Sequence, residues 1–317
     1  LIQITSEKNA LLFHYLRTVF TVNEIIQRYK EGLSILYESQ ELEQIILLSF
    51  EHCCNYSRAD LVLKQAEQLS QKSTEQLDQI LNELKRGIPI QYVLGYSWFM
   101  DHKLIVSPDV LIPRPETEEL VSWVIKDYKD FSKSKLNVLD ICTGSGCIPI
   151  SLSLKFIEWE VIACDISEKA LSVAIKNNEL LKSNVKFVRS DILKWRSDNK
   201  LKALQTTNSD STSKFDIIIS NPPYVLETEK ASMHERVLNH EPSIALFVPD
   251  EDPLIFYREI AAFAANSLCS GGKLYVEINR DQAAGVIDLF KVLKFSDIIL
   301  RKDLYNNARM ISATFKY

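Results

Sequence analysis

The second half of the chain alternates between apolar segments of strand length and segments of helix length. The strand-like segments are LNVLDI, EVIACDI, VKFVRSD, FDIIIS and GKLYVEI, beginning at residues 136, 160, 185, 215 and 272. Helical patterns follow, one from Cys147 and one behind Ser167, a residue type that commonly caps helices. Near-continuous apolar strands joined by helices form parallel sheets covered on both faces. The pattern therefore predicts an α/β fold with ligands at the carboxyl ends of its strands.

The rest of the chain is predicted to form further distinct parts. Residues 1–85 contain one glycine and no proline, and their apolar residues recur at helical spacing, which predicts a small all-α bundle. Residues 86–112 are rich in β-branched and aromatic residues and predict a β-hairpin linker, while 113–317 form the α/β domain. FSDIILRK and ARMISATF predict a terminal antiparallel hairpin in that domain, and the polar residues 199–214 predict a loop.

Composition and charge exclude several classes of protein. Hydrophobic residues make up 46% and charged residues 25%, so neither disorder nor a membrane protein is indicated. The six cysteines show no CxxC spacing and no secretory signal precedes them, so we interpret them as reduced thiols of a cytoplasmic protein. The five histidines form no metal-ligand pattern. A net charge of -5 argues against affinity based on phosphate neutralisation, so we expect no direct nucleic-acid partner. We also expect a monomeric chain.

A glycine-rich turn, TGSG at 143–146, lies where the first strand passes into a helix. Glycines there let the backbone N–H groups of a helix N-terminus approach a ligand. Pro149 stands where a dinucleotide fingerprint has its third glycine, which disfavours NAD and FAD. Asp165 and Asp191 end the next two strands and are placed to accept from ribose hydroxyls and an adenine amine. Taken singly, these features also fit a tight turn and helix-capping acids; together they predict a pocket for an adenosine-bearing ligand.

This arrangement resembles the S-adenosylmethionine-dependent methyltransferases with a Rossmann-like sheet. The carriers of the resemblance are the sequence DICTGSG at 140–146 and the acidic strand ends behind it. In those enzymes the turn faces the methionine part of the cofactor. The resemblance therefore implies S-adenosyl-L-methionine as cofactor, S-adenosyl-L-homocysteine as product, and Asp140 near the amino acid end of the cofactor.

The fourth apolar strand runs into Asn221, Pro222, Pro223 and Tyr224 at the same predicted edge. The two prolines fix successive φ angles, so the asparagine is held rigidly. An amide nitrogen is a poor nucleophile, and the Asn221 side-chain oxygen with the Pro222 carbonyl can orient a planar NH2 group while Tyr224 lies against it. Proton loss to solvent after methyl transfer removes the need for a strong general base. A buried Pro-Pro turn with an asparagine cap is the alternative, and NPPY alone indicates only a planar amine as methyl acceptor.

Further motifs resemble one family of such enzymes. RGIPIQYVLGYSWF (86–99), LIPRPETEELV (111–121), EPSIAL (241–246) and YREI (257–260), with NPPY, look like the peptide chain release factor N5-glutamine methyltransferases, the HemK/PrmC family. The resemblance covers 86–317 and, more loosely, the helical N-terminal part. It implies methylation of the glutamine in the Gly-Gly-Gln motif of release factors, which act in translation termination. The N-terminal bundle then helps to dock that protein substrate.

The resemblance also implies individual roles. Cofactor contacts fall to Thr143, Gly144, Ser145, Gly146, Asp165 and Asn221, with Asp140, Asp191 and Ile192 completing the predicted set; glutamine contacts fall to Asn221, Pro222, Pro223 and Tyr224. Three departures stand out: Cys142 replaces a usual glycine, Ile192 replaces an aromatic residue of some members, and DLYNNAR (303–309) lacks a glycine.

Two other classes of function remain as alternatives. A nucleic-acid amino methyltransferase, chiefly of the DNA adenine-N6 type, also fits NPPY, although the acidic chain and the lack of a base-recognition insert count against it. A catalytically inactive cofactor-binding module is disfavoured by the intact NPPY sequence.

Overall fold

The structure is a computed structural model that describes residues 20–130, 135–204 and 215–316. The chain divides into two compact units, Leu1–Leu94 and Gly95–Tyr317. This division falls inside the segment 86–112, which the sequence predicts as a linker. Its two halves pack into different hydrophobic cores: Ile90 is buried in that of the first unit, and Phe99 and Leu104 in one of the second.

The described part of the first unit is helical, as predicted. Its helices are α1 (Val22–Leu33), α2 (Ser39–Cys54), α3 (Arg58–Leu63), α4 (Gln71–Lys85) and α5 (Ile90–Leu94). Thr21 and Glu24 cap the start of α1 reciprocally, each side chain accepting from the other residue's backbone N–H. The fully buried Tyr29 joins α1 to α4 by donating its hydroxyl to the Leu77 carbonyl at 2.7 Å. Residues 90–94, which belong to the segment predicted as a β-hairpin linker, form α5.

The second unit opens with the predicted β-hairpin and continues as alternating strands and helices. Its strands are β1 (Tyr96–Phe99), β2 (His102–Ile105), β3 (Asn137–Ile141), β4 (Glu160–Asp165), β5 (Val185–Arg189), β6 (Phe215–Ser220), β7 (Val225–Leu226), β8 (Phe247–Val248), β9 (Leu268–Glu277), β10 (Phe295–Lys302) and β11 (Ala308–Phe315). Its helices are α6 (Pro115–Tyr128), α7 (Cys147–Lys155), α8 (Glu168–Leu181), α9 (Asn199–Leu204), α10 (Glu235–His240), α11 (Ile255–Ser267) and α12 (Ala283–Val292). Ser167 caps α8 as predicted.

Seven of these strands form one sheet in the order β10-β11-β9-β6-β3-β4-β5. Strands β3, β4, β5, β6 and β9 run parallel, and β11 is antiparallel to both of its neighbours, which confirms the predicted α/β sheet with a terminal antiparallel hairpin. Ile218 of β6 packs in the core on one face, whereas Ile217 and Ile219 pack in the core on the other. Burial on both faces explains why this strand is apolar throughout.

Two connections differ from what the sequence indicates. Residues 199–204, predicted as loop, form α9, and residues 205–214 of the same predicted loop lie outside the described residues. The last hairpin turns without glycine because Asn306 adopts a φ of 66°, and asparagine tolerates this left-handed region better than most residues. The Asp303 carboxylate supports the turn by accepting from the N–H groups of Tyr305 and Asn307.

Across residues 20–130, 135–204 and 215–316, none of the helices combines the length and apolar character that crossing a bilayer requires. All six cysteines are free thiols.

Candidate active site

A cavity lies at the carboxyl ends of β3, β4 and β6, where the sheet was predicted to bind its ligand. The predicted residues that line it are Thr143, Gly144, Ser145, Asp165, Asp191, Ile192, Asn221 and Pro223. Four other predicted residues are not among those that line it: Asp140, Gly146, Pro222 and Tyr224. Arg114, Thr117, Ile244 and Phe256 also line it, and the sequence had not indicated a role for them as individual residues.

The turn after β3 has the left-handed backbone that its glycines allow. Gly144 has a φ of 53°, and a Cβ added there would meet no atom within 4 Å, which leaves open space beside this backbone. Gly146 caps α7 with a φ of 81°, and its Cβ would lie 3.1 Å from that of Ala174, so glycine lets α7 begin close to α8. Cys142 has a φ of 63°, a conformation that favours the glycine usual at this position in the resembling family.

Asp165 fixes this turn from the neighbouring strand. Its Oδ2 accepts from the Gly144 N–H and its Oδ1 from the Ser167 N–H, both at 2.9 Å. Burial raises the pKa of Asp165, and these backbone donors act in the opposite direction. Each carboxylate oxygen can accept a second hydrogen bond. Asp165 therefore combines its structural role with acceptor capacity on the cavity wall.

Asn177 is a second support of the turn, and sequence reasoning missed it. Its fully buried side chain on α8 donates to the carbonyls of Ser145 and Ile105, each at 2.9 Å, and accepts from the Ile105 N–H. The amide thereby joins the turn to β2. An asparagine in the middle of a helix gives no sequence signal for such a contact.

Asp140 and Thr143 carry buried polar atoms that make no well-formed hydrogen bond among the described residues. These are both carboxylate oxygens of Asp140 and the hydroxyl of Thr143. Burial raises the pKa of Asp140 well above its usual value, although the Thr143 hydroxyl acts on the Asp140 carboxylate to lower it. Buried polar atoms without partners cost free energy, and such atoms in a native structure call for an explanation. An arriving donor, such as the ammonium group of an amino acid, has the chemistry that they lack.

Asp191 and Ile192 form the far side of the cavity. The Asp191 carboxylate accepts from the Leu193 N–H at 3.0 Å and caps a short 3-10 turn, which is the alternative role considered for it. Asp191 also lines the cavity, so the same side chain can cap the turn and contact a ligand. The nearly buried Ile192 supplies an apolar surface there.

The loop that carries NPPY is held by hydrogen bonds at several points. The Asn221 Nδ2 donates to the Thr117 Oγ1 at 3.0 Å. The N–H groups of Tyr224 and Val225 donate to the Leu246 carbonyl at 3.2 and 2.8 Å. The Tyr224 carbonyl accepts from the Asn279 Nδ2 at 3.1 Å. Together with the two buried prolines, these contacts make the loop rigid.

Glu277, the last residue of β9, lies behind this loop and is 1% exposed. Its Oε2 accepts from the Thr117 hydroxyl at 2.7 Å and its Oε1 from the Tyr224 hydroxyl at 2.9 Å. Burial raises the pKa of Glu277, while the two hydroxyl donors and the charge of Arg309 act to lower it. Sequence reasoning missed both Thr117 and Glu277, although the acid at the end of an apolar strand was a signal.

Motifs that lie far apart in the sequence meet around the same loop. Arg114 of PRPETE donates to the Glu241 carboxylate of EPSIAL at 2.5 Å, and the Ile112 N–H donates to the same carboxylate at 3.2 Å. The hydroxyl of Tyr257, from YREI, accepts from the Asn279 N–H at 3.2 Å. These motifs therefore act as neighbours that hold one another and the NPPY loop in place.

This fold and cavity agree with comparisons to known protein families. Residues 132–310 match a family model described as a methyltransferase domain, which covers more than half of the chain, so the chain is a methyltransferase-domain protein. Residues 24–95 match the PrmC N-terminal domain.

Curated relatives specify the family further. The release factor glutamine methyltransferase of Flavobacterium psychrophilum is 39% identical over 290 residues, covering 91% of this chain and 97% of the relative. That of Bacteroides thetaiotaomicron is 39% identical over 301 residues, 92% of this chain and 99% of the relative. That of Bacillus subtilis is 35% identical over 294 residues, 91% and 97% respectively. The chain belongs to the release factor glutamine methyltransferase family.

Proposed function

We propose that this protein transfers a methyl group from S-adenosyl-L-methionine to the side-chain amide nitrogen, N5, of the glutamine in the Gly-Gly-Gln motif of peptide chain release factors. The observation that carries the proposal is the position of Asn221: its amide lines the same cavity as Asp165 and Asp191 and is held by Thr117. Family membership over nearly the whole chain supports the same substrate class.

The cavity fits the proposed cofactor on chemical grounds. The Thr143 hydroxyl on the cavity wall, with the buried Asp140 carboxylate beside it, fits the ammonium-bearing methionine end. Asp165 has acceptor capacity for ribose hydroxyls, and Asp191 with Ile192 fits an adenine. When bound, this cofactor supplies an electrophilic methyl group on its sulfonium sulfur.

The residues of the NPPY loop then prepare the acceptor. The lone pair of an amide nitrogen is delocalised into its carbonyl, so orientation matters more than proton removal before transfer. The Asn221 Oδ1 and the Pro222 carbonyl accept from the two N–H bonds of the glutamine amide and hold the nitrogen towards the methyl group. Tyr224 excludes water from the planar group. The nitrogen releases its extra proton to solvent after transfer.

The wider assignment rests on the family and on the first unit. The match to the PrmC N-terminal domain supports a role of the helical unit in docking the release factor. Because release factors act in translation termination, we place the reaction in the cytoplasm. We further propose that the protein works as a monomer, which sedimentation analysis tests directly.

A methyl-transfer assay tests the proposed function. Purified protein is incubated with S-adenosylmethionine carrying a labelled methyl group and, in parallel, with a release factor, adenine-containing DNA or ribosomal RNA. We expect label on the release factor alone. Mass spectrometry then places one methyl group on the glutamine of Gly-Gly-Gln.

Two matched controls sharpen the assay. A release factor with alanine in place of that glutamine is expected to accept no label, and an Asn221→Ala enzyme is expected to transfer little. Label on DNA or RNA with none on the release factor contradicts the proposal and favours a nucleic-acid amino methyltransferase.

A further inference from the structure

We infer that Thr117 and Glu277 are positioning residues that set which end of the Asn221 amide faces the methyl acceptor. The inference deepens the proposed function and rests on it. Three separate elements supply the residues: Thr117 lies in the first turn of α6, Glu277 ends β9, and Asn221 follows β6.

The direction of the hydrogen bonds that join Glu277, Thr117 and Asn221 follows from the single hydrogen of the Thr117 hydroxyl. A threonine hydroxyl has one hydrogen, and the hydroxyl of Thr117 donates it to the Glu277 Oε2 at 2.7 Å. The oxygen of Thr117 therefore has only acceptor capacity left for Asn221. Of the two ends of the Asn221 amide, only the NH2 can donate, and it lies 3.0 Å from the Thr117 Oγ1.

The opposite end of the amide then becomes the acceptor on the cavity wall. With its NH2 turned to Thr117, Asn221 leaves Oδ1 for the N–H of a substrate amide. The reversed amide would present an NH2 to another NH2, which forms no hydrogen bond. The carboxylate of Glu277 also receives the Tyr224 hydroxyl, so one buried acid orients both the acceptor amide and the aromatic residue beside it.

The direct test replaces Thr117 with valine, which has the same shape and no hydroxyl. The Asn221 amide then loses the contact that selects its orientation. We expect kcat for release factor methylation to fall by roughly 10- to 100-fold, as for other displacements of a positioned group, with the KM for S-adenosylmethionine unchanged. Thr117→Ser, which keeps the hydroxyl, is expected to restore most of the rate.

A matched substitution separates positioning from general loss of packing. Thr314 is also buried, at 8% exposure, and lies in β11 rather than beside the cavity. Thr314→Val is expected to keep the wild-type kcat. If Thr117→Val is folded and turns over like the wild type, the inference is wrong. If the wild-type enzyme itself transfers no methyl group to the release factor, the proposed function fails instead.

The role of Glu277 is tested by comparing single and double variants at positions 277 and 117. Glu277→Leu removes the carboxylate that accepts the Thr117 hydroxyl, so this hydroxyl becomes free to donate to the Asn221 Oδ1 and to reverse the amide. We expect a fall in kcat similar to that of Thr117→Val. In the double variant the two losses are expected not to add, because both act on the same Asn221 amide. Fully additive losses would show that Glu277 acts by another route.

A measurement on the wild-type protein does not depend on how the variants fold. In nuclear magnetic resonance spectra, the side-chain NH2 signal of Asn221 is assigned by its absence in Asn221→Ala. We expect a nuclear Overhauser effect from this NH2 to the Cβ hydrogen of Thr117 and slow exchange of its hydrogens with solvent. Free exchange and no such effect would overturn the inference.

Discussion

The turn after β3 and the loop after β6 both reach the cavity, but their polar groups are in different states. At the end of β3 and in the turn, the Asp140 carboxylate and the Thr143 hydroxyl are buried and make no well-formed hydrogen bond among the described residues. In the loop, Asn221 and Tyr224 are already hydrogen-bonded through Thr117 and Glu277. Under the proposed function, the loop is therefore the acceptor side, whose groups are organised before binding, and the turn is the cofactor side, whose groups are completed by the ligand.

The largest expected effect on methyl transfer comes from removing the Asn221 amide in the loop after β6. Asn221→Ala leaves a substrate N–H unpaired and misaligned, at a cost of about 1 to 3 kcal/mol in the transition state, so methyl transfer falls up to about 100-fold. The fold is expected to persist, which circular dichroism checks, and titration calorimetry measures how much of the cofactor affinity depends on the contact predicted for Asn221. Asn266→Ala, on the exposed face of α11, serves as control and keeps full activity. Near-wild-type turnover of Asn221→Ala would mean that another group orients the acceptor.

A second substitution changes Gly144 in the turn after β3, which is the cofactor side under the proposed function. Gly144→Ala forces an L-residue into a φ of 53° and adds a methyl group to the open space beside the turn. We expect a loss of roughly 1 to 2 kcal/mol in the free energy of unfolding and weaker cofactor binding. Gly271→Ala also places an L-residue at a positive φ, 85°, with no neighbour within 4 Å, but Gly271 is not among the residues that line the cavity. Equal cofactor affinity in the two variants contradicts this assignment.

Replacing Asp140 with asparagine is expected to increase the free energy of unfolding and, under the proposed function, to weaken cofactor binding. Burial holds the pKa of Asp140 well above its unfolded value, so its stabilising contribution is complete below about pH 4 and is lost as the pH rises through the folded pKa. Asp140→Asn stays neutral, so its advantage in urea unfolding is expected to grow with pH over that window. Cofactor affinity is expected to fall.

A control acid is expected to show the opposite sign. The exposed Asp297 pairs with Lys316, which lowers its pKa, so Asp297→Asn loses a small contribution that is present above the unfolded pKa. If Asp140→Asn binds the cofactor as tightly as the wild type, then Asp140 does not serve the ligand.

The smallest expected effect concerns Cys142 in the same turn. Cys142→Gly removes the cost of a φ of 63°, and the greater flexibility of glycine in the unfolded chain offsets part of this gain. We expect a net stabilisation of at most about 1 kcal/mol, measured from the urea midpoint. Cys269→Gly, in β9 and without a left-handed backbone, should lose stability instead. Stabilisation by both substitutions would show that the backbone of Cys142 is not the cause.

Local patterns predicted most of the fold because they report which face of each element is buried. The run FDIIIS became the central strand β6, and Asn306 replaced a glycine in a turn without changing the hairpin. The segment at 90–94 was misjudged because β-branched and aromatic residues suit a strand, yet Ile90 packs into a helical core. Tertiary contacts, rather than local preference, decided that segment.

The site was predicted only in part for a similar reason. The residues of the TGSG turn and NPPY loop could be found because glycine pairs and proline pairs have few ordinary uses. Thr117 resembles any residue in the first turn of a helix, and Glu241 resembles any exposed acid, until their distant partners are known. The supports of a site depend on pairings across the chain, which a single sequence does not display.

The spacing of those pairings has a consequence for how the protein is made. Gly144 and Asp165 are 21 residues apart, whereas Thr117 and Glu277 are 160 residues apart. A ribosome synthesises the chain from its N-terminus, and segments become available for folding in that order. The cofactor turn can therefore assemble while synthesis continues, but the acceptor amide gains its orientation only after β9 has emerged. Under the proposed function, we therefore expect the turn beside the methyl donor to form earlier in translation than the contact that orients the methyl acceptor.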